Sequence, residues 1–299
     1  NISNYEQLSN QYLYYVGLKL RHNVEPNYYI FQNSEIHKDR RGKLIPNGYE
    51  TGEIVYSIRD SSTSWTFLGK KIQTNNIKIG DLDFLPLYNQ CMSSTDTWAP
   101  SWKTFRRAQR ALTLGQYFDY ALSIPGSKAE CGVLRGFSAL LTNKIAQMRD
   151  KSWTGKHYHL IDSFEGLSEP EFKDAIFSGN QSPRVSHKAG DFSFPLSKVQ
   201  NNLRSFPNLS FHKGWIPEIF ESLPEDEWSY VHIDVDLYRP TLQSLEYFFP
   251  RMAAGGVIIN DDYSSPLFPG GGSGWVEFFD RVKKPFAVLD NGQAIFINS

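Results

Sequence analysis

The ten residues "VHIDVDLYRP" (231–240) alternate Val231, Ile233 and Val235 with His232, Asp234 and Asp236. A period of two is the pattern of a β-strand. It sets two carboxylates side by side, an arrangement that is costly inside a protein unless something compensates the charge. Outward from this stretch, strand and helix patterns take turns. "KAECGV" (128–133), "YHLIDSF" (158–164), "LSFHKGW" (209–215) and "GGVIINDDY" (255–263) read as further strands. "RGFSALLTNKIAQMRD" (135–150), "PLSKVQNNLRSF" (195–206), "IPEIFESL" (216–223) and "TLQSLEYFFPRM" (241–252) read as helices between them. Such alternation predicts an α/β fold, a doubly wound and mostly parallel sheet with helices on both faces. The ending "PFAVLDNGQAIFINS" (285–299) is two β-runs joined through Asp290-Asn291-Gly292, a strong hairpin signal. A hairpin places an antiparallel strand in the parallel sheet.

Ahead of this region the text differs. "SNYE" (3–6) is a capping box, and Tyr5, Leu8, Tyr12, Tyr15 and Val16 follow at helical spacing, which predicts an amphipathic helix to about Leu20. From Pro26 to Leu87, "YYIF", "EIVYSI" and "SWTFLGKKI" predict short strands separated by turns. Residues 1–95 are therefore expected to form an accessory α+β region, and 96–299 the main domain. A helix from Ser101 to Leu122 opens the latter and stops at Pro125-Gly126.

Composition limits the function classes. The chain has 299 residues, 40% of them hydrophobic, enough for a large core. Its 31 basic and 32 acidic residues nearly cancel, so no net field points to nucleic acid or to an anionic membrane. A neutral or polar, hydroxylated substrate fits better. Cys91 and Cys131 form neither a disulfide framework nor a zinc motif. No apolar run reaches the roughly 20 residues of a membrane span, and no signal peptide is visible, so a cytoplasmic location is expected. The sequence begins at Asn1, not Met, and a natural start outside it is expected.

The chemistry concentrates at strand ends. "AECGVLRGFS" (129–138) puts Glu130, Gly132 and Gly136 in a strand-to-helix turn. This is either a tight turn alone or a place where backbone N–H groups approach a ligand. It lacks the GxGxxG spacing of a pyrophosphate site. An acid there suits a cofactor with a cationic group and hydroxyls, as in S-adenosylmethionine. Asp162 ends the next strand, where it either holds both hydroxyls of a ribose or caps a helix. Asp261 and Asp262 end the strand after "VHIDVD" and reach the same sheet edge as Asp234. The three carboxylates are either a polar rim and solvated turn or the ligands of a hard divalent cation such as Mg²⁺. His232, deeper in its strand, reads as a core histidine before a catalytic base. The segments 169–190 and 266–274 read as mobile lids over this edge.

The motifs "ECGVLRG", "DSFEGL", Gly214-Trp215, "HIDVDLYRPT", "EYFFPRMAAGGVIINDDY" and the "GW" and "EFFD" that follow, in this order over about residues 105–282, resemble the macrocin O-methyltransferase (TylF) family. The resemblance implies a class I methyltransferase fold, Rossmann-like and seven-stranded, with an antiparallel C-terminal hairpin strand. It implies S-adenosylmethionine and Mg²⁺ as cofactors, and transfer of methyl to a sugar hydroxyl on a glycosylated natural product or polysaccharide precursor. The family's metal ligands fall on Asp234, Asp261 and Asp262 and its general base on Asp236. Its cofactor contacts fall on Glu130, Gly132, Ser138, Asp162, Ser163, Asp191, Gly214 and Trp215. A homo-oligomer is implied as well. Two other readings stay open, a metal-dependent methyltransferase of aromatic vicinal diols and a non-catalytic module of a larger chain.

Overall fold

The computed structural model describes the backbone of residues 12–20, 27–32, 53–59, 64–73, 78–97, 101–177 and 182–298, with side chains for 79–97, 107–177 and 182–298. The chain divides into two compact units, Asn1–Gln90 with Trp98–Gln109, and Cys91–Thr97 with Arg110–Ser299.

The first unit holds β1 (Tyr12–Leu20), β2 (Asn27–Gln32), β3 (Glu53–Arg59) and β4 (Ser64–Gln73), antiparallel in the order β2-β1-β4-β3. The helix expected up to Leu20 is corrected here, because Tyr12–Leu20 is a strand paired on both sides. "YLYYVGLKL" is rich in tyrosine and carries a glycine, and cross-strand partners outweigh the helical spacing of its apolar residues. Ser3 and Glu6 of the capping box lie outside the described residues. A short hairpin, β5 (Lys78–Ile79) with β6 (Leu82–Asp83), leads into α1 (Phe84–Ser94). That helix was missed among β-rich text, although Phe84, Leu87, Tyr88 and Cys91 repeat with helical period and are all buried.

The second unit is the predicted sheet. Its elements are the end of α2 (Ser101–Ala121), β7 (Ser127–Cys131), α3 (Phe137–Arg149), β8 (Tyr158–Asp162), α4 (Leu196–Asn202), β9 (Ser210–Lys213), β10 (Trp228–Ile233), α5 (Tyr238–Phe248), β11 (Met252–Asn260), α6 (Pro269–Val282), β12 (Ala287–Val288) and β13 (Ala294–Ile297). The strand order is β12-β13-β11-β10-β7-β8-β9, parallel from β9 to β11 and antiparallel at β13. "IPEIFESL" forms only a 3₁₀ turn at Glu218–Ser222. Strand β10 is central, with Ile233 opposite Cys131 on one side and Asn260 on the other. All its residues are buried, as expected of a strand covered on both faces. Phe118 of α2 closes one face, edge-on to Tyr230 at 5.0 Å and stacked on Tyr158 at 5.6 Å.

Sequence reading made 266–274 a mobile lid, and the structure corrects this. Pro269 to Gly274 are the first turns of α6, with Pro269 at the favoured start position. Gly270, Gly271, Gly272 and Gly274 are buried. A Cβ on Gly270 would strike the Asp174 carboxylate and lie 2.6 Å from the Tyr238 backbone nitrogen, and one on Gly274 would lie 2.7 Å from the Tyr238 carbonyl. The glycines serve close packing of α6 on α5. The first part of the other segment is pinned too. Buried Asp174 accepts the N–H groups of Tyr238 and Glu171, both at 2.7 Å. Lys173 reaches Tyr238 Oη at 2.8 Å and Glu277 Oε2 at 2.5 Å, and Arg239 pairs with Glu171. Residues 178–181 lie outside the described residues.

The edge strand β9 is tied to β8 by His159 Nδ1 and His212 Nε2, 3.0 Å apart. Burial, then the neighbouring His212, lowers the His159 pKa to about 4. The unfolded chain therefore takes up this proton first as pH falls below the ordinary value near 6.5. The stabilisation is complete above pH 6.5 and is lost as pH drops toward 4. Thermal melts should show a smaller loss of Tm between pH 7 and pH 4.5 in His159→Gln than in the wild type. A second expectation concerns α6. Gly→Ala inside a helix normally stabilises by about 1 kcal/mol. Gly270→Ala should instead destabilise by about 1–3 kcal/mol in urea titrations through overpacking, while exposed Ser273→Ala stays within about 0.5 kcal/mol of wild type.

Candidate active site

The site lies at the carboxyl ends of the parallel strands, where ligands of open α/β sheets bind. Its first component is the turn from β7 to α3. Gly132 adopts φ 84°, and a Cβ there would collide with the Asp234 carbonyl, so glycine is required where β7 and β10 leave the sheet together. Asp162, at the end of β8, fastens this turn from the side. Its Oδ2 accepts Val133 N–H at 2.6 Å and Leu134 N–H at 3.1 Å, and its Oδ1 accepts Phe164 N–H at 2.7 Å. A carboxylate offers about four acceptor positions, so one remains on Oδ1. Gly214 N–H donates to the Asp162 carbonyl at 3.0 Å and brings exposed Trp215 beside it.

Glu130 is fully buried, accepting Ser138 Oγ–H at 2.6 Å and Tyr158 Oη–H at 3.3 Å. It therefore acts on the turn from beneath, and half-buried Ser138 is the side chain with lone pairs to spare. Ser163 bonds the Gly166 carbonyl and the Glu165 N–H within its own turn. Asp191 accepts Lys188 N–H at 3.0 Å, and its carbonyl accepts Leu167 N–H at 2.9 Å, which ties residues 188–191 to the loop after β8.

The second component is the acidic cluster. Alternation assigned Asp234 and Asp236 to one strand face, but β10 ends at Ile233 and both lie in the loop beyond it. Asp236 reaches the cluster through a left-handed backbone, φ 61°, which aspartate tolerates better than most residues. Gly271 N–H of α6 donates to its carbonyl at 3.1 Å. Oxygens of Asp234, Asp236 and Asp262 lie within 4.8 Å of one another, as do ligand atoms of His232, Asp234 and Asp261. Asp234 thus joins both groups. Burial first, then Asp261 and Asp262, raises the Asp234 pKa well above the usual range. Burial, then Asp262 and Asp234, does the same to Asp236.

Asp261 has a different setting. Gln293 Nε2 donates to its Oδ1 at 2.5 Å, Arg110 pairs with its Oδ2 and its carbonyl, and His232 Nε2 stands 3.7 Å from Oδ1. Burial alone would raise its pKa, but Arg110, His232 and Gln293 hold it well below the carboxylate range. His232 is 1% exposed between Asp261 and Glu130, 3.8 Å from the latter. Burial opposes its charge, yet these two carboxylates raise its pKa to about 10. The reading of His232 as a core residue fits its burial but missed this charged sandwich. Sequence reasoning also missed Arg110 and Gln293, which belong to no motif and reach the site only through the packing of α2 and β13.

The acidic cluster fits a divalent cation. Asp262 is 5% exposed, and its Oδ2 has no hydrogen-bond partner among the described residues, although a buried orphan carboxylate oxygen is unfavourable. All the convergent donors of Asp234, Asp236 and Asp262 are oxygens, the preference of a hard cation. The turn fits a cofactor with a ribose and an aromatic base, through the free acceptor position of Asp162 and the exposed indole of Trp215. Cys91 and Cys131 are buried, free thiols. Among the described residues no helix is long and apolar enough to cross a membrane.

The strand order and the two components define a methyltransferase-type α/β domain. The chain is similar to NovP, an O-methyltransferase of known structure, with a TM-score of 0.54 over 70% of this chain and 88% of that one at 19% identity. It is similar to the calicheamicin methyltransferase CalS11, with a TM-score of 0.55 over 71% and 91% at 16% identity. These likenesses concern the fold. Residues 114–291 match the macrocin O-methyltransferase (TylF) family, and the chain belongs to it. Among curated relatives, it is 30% identical over 145 residues to the 8-demethyl-8-(2,3-dimethoxy-alpha-L-rhamnosyl)-tetracenomycin-C 4'-O-methyltransferase of Streptomyces olivaceus, covering 47% of this chain and 54% of the relative. It is 26% identical to the demethyldecarbamoylnovobiocin O-methyltransferase of Streptomyces niveus over the same shares. The chain spans about half the length of the curated relatives it matches.

The Asp162 bonds yield a test that needs no substrate. Asp162→Ala removes two acceptor contacts to the turn and one to Phe164, each worth about 1.5–3 kcal/mol because the carboxylate is charged. Hydrogen exchange of the Val133 and Leu134 amides should accelerate at least tenfold in this variant, and exchange in β11 should stay near wild type.

Proposed function

We propose that the protein is an S-adenosylmethionine-dependent O-methyltransferase that acts in the cytoplasm on a hydroxyl of a sugar, carried by a glycosylated natural product or a polysaccharide precursor, with a divalent cation such as Mg²⁺. The observation that carries this reading is the convergence of Asp234, Asp236 and Asp262, the last with a buried oxygen that lacks a hydrogen-bond partner among the described residues, together with a strand-end turn braced by Asp162. Membership of the macrocin O-methyltransferase family supports it, as do relatives named for methylation of sugar-bearing compounds.

In this reading Asp162 accepts ribose hydroxyls, Trp215 covers the adenine, and Ser138, oriented by Glu130, meets the amino-acid end. Gly132, Ser163, Asp191 and Gly214 shape the walls. Asp234, Asp261 and Asp262 form the acidic wall that holds the cation, which when bound polarises the acceptor hydroxyl. S-adenosylmethionine, when bound, would supply its methyl carbon to the acceptor oxygen, the S–CH₃ bond breaking as the O–CH₃ bond forms and S-adenosylhomocysteine leaving. Asp236 takes the hydroxyl proton. An ordinary aspartate is a weak base for this task, and the cation, when bound, would make the acceptor hydroxyl more acidic. Alignment of donor and acceptor in one site supplies much of the remaining rate.

Calorimetric titration with S-adenosylmethionine, S-adenosylhomocysteine and Mg²⁺ tests the reading. Micromolar cofactor binding is expected, and no binding of either nucleoside overturns it. Asp236→Asn should keep cofactor affinity within about threefold and lose 100-fold or more in turnover of an accepted sugar, the range of a general base. Wild-type turnover in that variant excludes Asp236 as the base.

A further inference from the structure

Four carboxylates meet at the ends of β10 and β11, namely Asp234, Asp236, Asp261 and Asp262. Arg110 is the basic side chain that enters among them. It comes from the middle of α2, with a side chain 24% exposed, and has no counterpart in the strand-end motifs. Its Nη2 donates to the Asp261 carbonyl, pairs with Asp261 Oδ2 and lies 3.1 Å from Asp262 Oδ1. One nitrogen thus occupies one oxygen of each neighbouring carboxylate. Asp262 Oδ2 is left buried and without a hydrogen-bond partner among the described residues.

The division of labour follows from charge. Arg110 sets a permanent positive charge against Asp261 and Asp262, and without it the cluster would lose that charge in a half-buried setting where like charges repel strongly. Nη2 alone makes these contacts, while the buried Nε has no hydrogen-bond partner among the described residues, so the position relies on one donor nitrogen of a permanently charged group.

Resting on the proposed cation site, we infer that Arg110 is a positioning residue and resident counter-cation. It holds Asp261 and one oxygen of Asp262, keeps the cluster assembled before the divalent ion arrives, and leaves Asp262 Oδ2 facing that ion. It also competes with the ion for the same carboxylates and so weakens its binding.

The test uses the full chain and compares wild type with Arg110→Gln and Arg110→Lys. Melting temperature is measured after chelation and across a Mn²⁺ titration, and free Mn²⁺ is followed by electron paramagnetic resonance. A ligand that binds only the folded state raises Tm according to its affinity. In Arg110→Gln the metal-free Tm should fall, the Tm gain on Mn²⁺ should exceed that of wild type, and the Mn²⁺ Kd should tighten at least threefold. Arg110→Lys, which keeps the charge but not the guanidinium, should fall between the two, and it carries the test if the Gln variant does not fold. Mn²⁺ binding to wild type with an equal or smaller Tm gain and equal Kd in the variants overturns the role of Arg110 alone. Absence of Mn²⁺ binding to wild type overturns the cation site, and this inference with it.

Discussion

The repulsion among carboxylates at the ends of β10 and β11 is the constraint around which this half of the molecule is arranged. Parallel pairing brings Ile233 level with Asn260, so the residues that follow each strand meet at one edge whatever their charge. The fold answers from several sides. Arg110 enters from α2, Gln293 donates from the strand of the hairpin, and His232 stands one position back in β10. Asn260 orders the descent by accepting Asp262 N–H at 2.8 Å and donating to the Gly271 carbonyl at 3.0 Å. Asp261 is thereby partnered within the protein, and a buried oxygen without a hydrogen-bond partner among the described residues remains on Asp262.

The same constraint accounts for the backbone around it. Asp236 turns into the cluster with positive φ, a conformation that costs of order 1–3 kcal/mol unless its surroundings enforce it. The enforcement comes from α6, whose Gly271 N–H takes the Asp236 carbonyl, and from Asp174, which binds the first amide of α5. An acid at the start of a helix also favours the helix dipole. The glycines of α6 are necessary for this reason: side chains at Gly270 or Gly272 would push the helix off Asp174 and Tyr263.

Much of this was legible in the sequence where local rules and the fold agree. The alternation between residues 127 and 260 and the Asn291-Gly292 hairpin follow local patterns and stand where the patterns put them, except that "IPEIFESL" is only a 3₁₀ turn and Asp234 and Asp236 lie just past β10. The failures share a cause. Tyr12–Leu20 has helical spacing but strand partners, and partners are not visible in a single segment. The run from Gly270 to Gly274 looks like a flexible loop because intrinsic propensity disfavours a glycine helix. Only the nearness of Asp174 and Tyr238 makes it one. Arg110 is separated from Asp261 by 151 positions, and no spacing rule links them.

His232 joins the two components of the site into one electrostatic unit. Its ring nitrogens stand 3.8 Å from Glu130 and 3.7 Å from Asp261, beyond hydrogen-bond range, and both lack a closer partner among the described residues. A neutral ring there would leave Glu130 and Asp261 without a charge partner on this side. A charged ring serves both at once. Glu130 continues the chain to Ser138 and Tyr158 at the β7–α3 turn, and Asp261 continues it to Gln293, Asn291 and Thr113. A buried polar network of this kind is stable only when its members are jointly satisfied. The β7–α3 turn and the acidic cluster, read from separate motifs, are therefore linked through the floor of the sheet.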